Sequence, residues 1–292
     1  MAKEKKAATL SNMSQAGLIW FRYKKNKLAV IGLIVIIIEF IICMSAKFWI
    51  PYEDVYTQNL TQRFVEPCAA HPFGTDQFGR DLFARVLYGG QISLTAGFMV
   101  VGISLAIGVT IGGFAGYFGG RIDMILMRIC DIFMAIPRLL LAMAIVSALG
   151  QGTEKLLVAL SLSSFTGFAR TTRASILNLR GREFIEAAKV SGASDARILY
   201  THIVPNGIGP VVISATMSLG GTILAIASLG FLGIGIAPPT PEWGTILSEN
   251  KSNLRYYPYL GFIPGICIGI TVMCLNFCGD GLRDALDPRT KN

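Results

Sequence analysis

Long apolar stretches alternate with short polar ones along this chain, and the alternation predicts an all-α polytopic membrane protein with six transmembrane helices. The apolar runs fall at residues 28–46, 92–117, 124–149, 156–172, 208–235 and 259–278. Each is near the ~20 residues a helix needs to cross hydrocarbon. The polar stretches divide the chain into a basic N-terminal segment (1–27), the first span (28–46), a long polar segment (47–91), a five-helix core (92–278) and a tail (279–292). Within the core lies a polar island at 180–205.

That island does not read as a bare connector. Phe184, Ala187, Ala188 and Ser191 recur at i, i+3, i+4 and i+7, which places them on one face of a short helix. The face is nearly all small, so another protein's surface can approach the backbone closely. Gly192 follows where a residue free to take positive φ is wanted. Ser194 then suits the cap of a second short helix carrying Leu199, His202 and Ile203, with Pro205 as its stop. Elsewhere, Gly17–Tyr23 reads as an interfacial helix with Trp20 and Tyr23 at headgroup level. Gly102, Gly108, Gly112, Gly113 and Gly116 crowd the second span, where small residues let helices pack closely in lipid. Pro137 predicts a kink in the third span, and Pro238–Gly244 reads as a stiff loop.

Composition agrees with a bilayer environment. Hydrophobic residues make up 52% and charged residues 15% of the 292 positions, against roughly 25% charged in soluble domains. The net charge of +8 does not point to nucleic acid, because the basic residues flank apolar spans instead of clustering on a soluble module. With six spans and both termini cytoplasmic, 18 Lys and Arg lie inside and 7 outside, and the positive-inside rule selects that orientation. It puts the island in the cytoplasm and residues 47–91 outside. Of six cysteines, only Cys68 lies away from the apolar segments, so no disulfide framework is indicated. Cys274 and Cys278 share a helix face, for which apolar packing is a commoner use than soft-metal binding. No metal site is expected.

Glu39 and Arg138 are isolated ionisable residues well inside apolar runs, and such residues are candidates for a transport pathway or an inter-subunit contact. For Arg138, pairing with Asp131 or snorkelling along the kink are the bland alternatives. The chain carries no Gly-Lys-Ser/Thr phosphate loop and no Ser/His/Asp or metal-ligand constellation, so no catalytic residue is assigned and the chain is not read as an enzyme.

Three blocks resemble one family. Glu186-Ala187-Ala188, Gly192 four positions on, and Ile203-Val204-Pro205 resemble the EAA loop of ABC-type importer permeases; His71-Pro72-Phe73-Gly74-Thr75-Asp76 with Gly79-Arg80-Asp81, and the tail from Gly279 to Arg289, resemble its dipeptide/oligopeptide/nickel branch. Val204 stands where Leu is usual and His202 where Ile is common. The resemblance implies a type I ABC importer permease fold and an ATPase-docking loop comprising Glu186, Ala187, Ala188, Gly192, Ala193, Ser194, Arg197 and Pro205. It also implies partners: a homologous second permease, two ABC ATPase subunits holding ATP and Mg2+, and an extracytoplasmic substrate-binding protein. The chain itself would bind no cofactor, and it would lie in the plasma or inner membrane of a prokaryote. Di- and oligopeptides are the implied cargo, with nickel or a metal chelate as the alternative. The only two histidines, His71 and His202, lie on opposite sides in the assigned topology and cannot make one nickel site. An ion-coupled secondary transporter would call for paired intramembrane ionisable residues and inverted repeats, which the sequence lacks.

Overall fold

A computed structural model describes residues 14–286. The distal parts of both expected terminal segments, 1–13 and 287–292, lie outside the described residues. The described chain is helical, with no named strand. Helix α1 (Gln15–Tyr23) is capped by Ser14 and α2 (Lys27–Ser45) by Asn26, whose side chains accept from Gly17 N and Ala29 N. Then come α3 (Leu82–Phe118), α4 (Gly120–Met134), α5 (Arg138–Leu149), α6 (Thr153–Leu162), α7 (Phe165–Leu179) and α8 (Glu183–Val190). The chain ends with α9 (Asp195–Arg197), α10 (Val204–Gly207), α11 (Gly209–Phe231), α12 (Trp243–Asn250) and α13 (Tyr259–Leu286).

Among the described residues, four helices are long and apolar enough to span a membrane, running Lys27–Phe48, Leu82–Phe118, Gly209–Phe231 and Tyr259–Leu286; α4 and α5 make a fifth if taken as one bent unit. The expected kink at Pro137 is an 85° break between α4 and α5, larger than a proline kink. The expected span at 156–172 is two helices, because the Ser163 and Ser164 hydroxyls both donate to the Leu160 carbonyl and compete with the helical ladder. The second and last spans are parts of longer helices, and the tail continues α13 to Leu286.

Helix α3 is the spine. At 37 residues it is about 55 Å long, well beyond the ~30 Å of hydrocarbon. Its glycines are used selectively. A Cβ on Gly112 would lie 2.2 Å from the Ala169 carbonyl oxygen, and one on Gly108 would lie 2.5 Å from the Phe168 Cβ. Gly116 meets Ile176 in the same way, so i, i+4, i+8 spacing seats α7 against the α3 backbone. Gly102 and Gly113 meet nothing within 4 Å and take no part in that contact. Tyr23 is buried and donates to the Ala29 carbonyl at 3.0 Å. Trp20 remains exposed.

Segment 46–81 packs over one end of the bundle, and its motif residues are structural. Asp76 Oδ1 accepts from Phe78 N and Arg80 N at 2.8 and 3.0 Å. Its Oδ2 accepts from Arg80 Nε at 2.6 Å. Arg80 and the fully buried Arg85 both pair with Glu249, and Arg85 also donates to the Val55 carbonyl. Asp81 caps α3 through Ala84 N and holds His71 Nδ1 at 2.7 Å. Beneath this, the expected Pro238–Gly244 loop runs only to Glu242, which caps the unanticipated α12 by accepting from Gly244 N and Thr245 N. Ser93 donates to the same carboxyl at 3.0 Å, and Trp243 Nε1 donates to the Val86 carbonyl at 2.9 Å. Burial pushes the Glu242 carboxyl above the usual carboxylate range, and these donors pull it back.

Candidate functional site

At the opposite end of the bundle, the polar island folds as two short helical pieces meeting at a glycine. Arg182 ends the turn after α7, and its carbonyl accepts from Ile185 N at 2.9 Å and Glu186 N at 3.2 Å. Glu183 and Glu186 lie in the first turn of α8, where negative charge complements the helix dipole. Gly192 adopts φ +78°, a conformation that costs any residue with a Cβ. Ala193 N then reaches back to the Ala188 carbonyl at 3.1 Å, and Ser194 caps α9 by accepting from Arg197 N at 3.4 Å.

Pro205 does not stop the second piece. A π-helical turn over Ile198–Ile203 leads directly into α10, with Pro205 in its first turn. Proline is tolerated at a helix start because the N–H it lacks has no partner there. The shift to wider π bonding just before it lets the chain absorb the ring without ending the helix.

Burial sorts the island into an anchor and a surface. Ile185, Ile198 and Ile203 are fully buried and join Leu199 and Ile176 in one cluster, with Ala188 and Ala193 leaning on it. Phe184, Glu186, Ala187, Ser191, Gly192, Ser194 and Arg197 are exposed, as is Val190 at 89%. The small face read from the sequence is therefore mostly outward, and the anchor is Ile185, which that periodicity passed over. Gly192 has open space where a Cβ would stand, so its requirement is conformational and not one of close approach. The island is tied to the end of α3 by Tyr117, whose hydroxyl donates to Asp195, and by Arg180, which donates to the Gly116 carbonyl at 3.3 Å.

Each of the two ionisable candidates in the apolar runs meets a threonine hydroxyl on another helix. Glu39 accepts from the Thr271 hydroxyl at 2.7 Å, joining α2 to α13. Arg138 opens α5 and donates to the Thr222 hydroxyl on α11 at 3.0 Å. It does not pair with Asp131, which is held by Arg170 and Arg128. Among the described residues no group of three or more His, Cys, Asp or Glu is placed to hold a metal ion.

Residues 108–292 match the family described as binding-protein-dependent transport system inner membrane component. The chain belongs to this family. Residues 14–67 also match the N-terminal TM domain of oligopeptide transport permease C. The dipeptide transport system permease protein DppC of Alkalihalophilus pseudofirmus is 44% identical over 92% of this chain and 88% of its own length. The glutathione transport system permease protein GsiD of Escherichia coli is 41% identical over 93% of this chain and 90% of its own. An inward-facing structure of the MetNI methionine ABC transporter shares the fold with a TM-score of 0.58, at 20% identity over 70% of this chain and 98% of that one. The polar island lies inside the matched permease region, between the two helices α7 and α11 of this ABC importer permease.

Proposed function

We propose that this permease carries di- and oligopeptides across the cell membrane as one of two homologous membrane subunits, driven by two ABC ATPase subunits that dock on the Glu183–Pro205 island. A binding protein delivers cargo at the end covered by residues 46–81, and ATP and Mg2+ act on the ATPase subunits. The observation that carries this reading is the island's division into a buried isoleucine anchor and an outward, small-residue surface with exposed Phe184 and Val190. An exposed apolar side chain on a rigidly anchored cytoplasmic helix is suited to a partner's groove. The peptide cargo follows the dipeptide and glutathione transport for which the relatives are named.

The test is co-expression with the neighbouring transport genes. A complex of two permeases and two ATPases should co-purify, and proteoliposomes holding it should take up a labelled dipeptide when the binding protein is supplied on the cargo side and ATP on the ATPase side. Phe184→Asp should release the ATPase subunits while leaving permease pairing intact. Retention of the ATPases by that variant would reject the island as the docking site.

A further inference from the structure

Among the described residues Arg138 has no counter-charge: no Asp or Glu pairs with it, its hydrogen bond goes to Thr222, and its Nε is buried with no partner. Depth follows from the helices. Gln151 joins the end of α5 to Gly233 beyond the end of α11, so both helices can be measured from one membrane face. Arg138 stands at the far end of the 12-residue α5, about 18 Å from that face. Thr222 lies nine residues before Phe231, about 14 Å from it by the same rise. A lipid phosphate is out of reach from there, since hydrocarbon is ~30 Å thick and its middle is ~15 Å from either headgroup layer.

The surroundings are open in this chain. Ala135–Pro137, between α4 and α5, leaves helical geometry, and both Ile136 and Pro137 are exposed. Exposed irregular backbone at membrane depth is tolerated only where it is covered by protein or faces water. On α11, Gly221 next to Thr222 is exposed with nothing within 4 Å of a Cβ, and Leu224 is half exposed. Thr222 orients the guanidinium without neutralising it, which suits a cation meeting an anion that arrives and leaves.

We propose that Arg138 is a cargo-recognising residue of the translocation path, its guanidinium taking a peptide carboxylate as the peptide passes α11. The proposal rests on the peptide reading above and names the group on the cargo that is recognised. A carboxylate is common to the cargo classes named for the relatives. Arginine matches it with paired N–H donors.

Charge rescue in the assembled importer tests this. The background is Cys68→Ser, which removes the exposed cysteine, and the probe is labelled alanyl-alanine. Arg138→Cys should lower uptake about ten- to hundredfold, the loss of a charge-assisted hydrogen-bond pair, with the four-subunit complex intact. Aminoethyl methanethiosulfonate, which adds an ammonium, should restore most of the uptake; the neutral methyl reagent should not. Equal rescue by both reagents, or normal uptake by Arg138→Cys, would overturn the proposal. So would permease pairing that is lost in the variant and regained with the ammonium, since the counter-charge would then belong to the second permease. Failure of the Cys68→Ser parent to take up the dipeptide would instead reject the peptide reading beneath it.

Discussion

Arg80 and Glu249, 169 positions apart, are joined by a 3.0 Å ion pair that clamps segment 46–81 onto α12. Arg85 shares the same carboxylate from the side, and both arginines are buried. Removing one member of such a group strands the others. Glu249→Gln leaves two buried guanidiniums on Asp76 alone, and should cost about 3 kcal/mol. Thermal unfolding of the detergent-solubilised complex would measure it, and an unchanged midpoint would mean the clamp carries no stability.

The α3 glycines give a paired prediction. Gly112→Ala forces a Cβ to within 2.2 Å of a backbone oxygen, whereas Gly113→Ala meets nothing within 4 Å. The first should separate α3 from α7, lowering stability by about 1–3 kcal/mol or more. The second should match the parent in yield and melting temperature, so equal behaviour of the two would refute the packing account.

At Gly192 the cost is set by φ, not by volume. Gly192→Ala and Gly192→Leu should both weaken the island by about 1–2 kcal/mol, because the space beside the Cα is open. Gly192→Asn should lose less, since asparagine enters the left-handed region most easily after glycine. ATPase co-purification and limited proteolysis across residues 180–205 would read the order. A graded loss from Ala to Leu would point to a steric role.

Capping of α12 can be probed at Glu242. Glu242→Gln keeps the shape but turns an amide N–H2 towards donors that now meet a carboxyl. Leaving a buried donor unpaired costs about 1–3 kcal/mol, and heat denaturation should report a loss of that size.

Orientation can be read with thiols. Native Cys68 is exposed at the end covered by segment 46–81, and Ser191 is exposed on the island. An impermeant maleimide should label Cys68 in intact cells or spheroplasts, and should label Ser191→Cys in a Cys68→Ser background only after permeabilisation. Labelling of Ser191→Cys from outside would invert the topology.

What the sequence made legible is local. The cap at Ser194, the positive φ of Gly192 and the helices of the apolar runs follow from residue type and spacing. What it hid is long-range or depends on which neighbour a residue meets. Nothing near Gly112 distinguishes it from Gly113 until α7 is in place, and Arg138 was set beside Asp131 by proximity in sequence when its partner was Thr222 on α11. The π turn at Ile198–Ile203 was missed because proline is the stronger local signal, and it was overruled by the buried isoleucines that hold the segment helical on both sides.

That π turn has a mechanical consequence. From Ser194 the chain continues as α9, the π turn and α10 to Gly207, and after Ile208 alone it becomes α11. There is no slack in this run, so a load taken up at the island is delivered along a near-continuous strut to Thr222, the residue that holds Arg138. Tyr117 and Arg180 tether the same island to the far end of α3, which gives the strut a fulcrum. If ATPase subunits dock on the island as proposed, a tilt there would be carried along this run towards the Thr222–Arg138 contact.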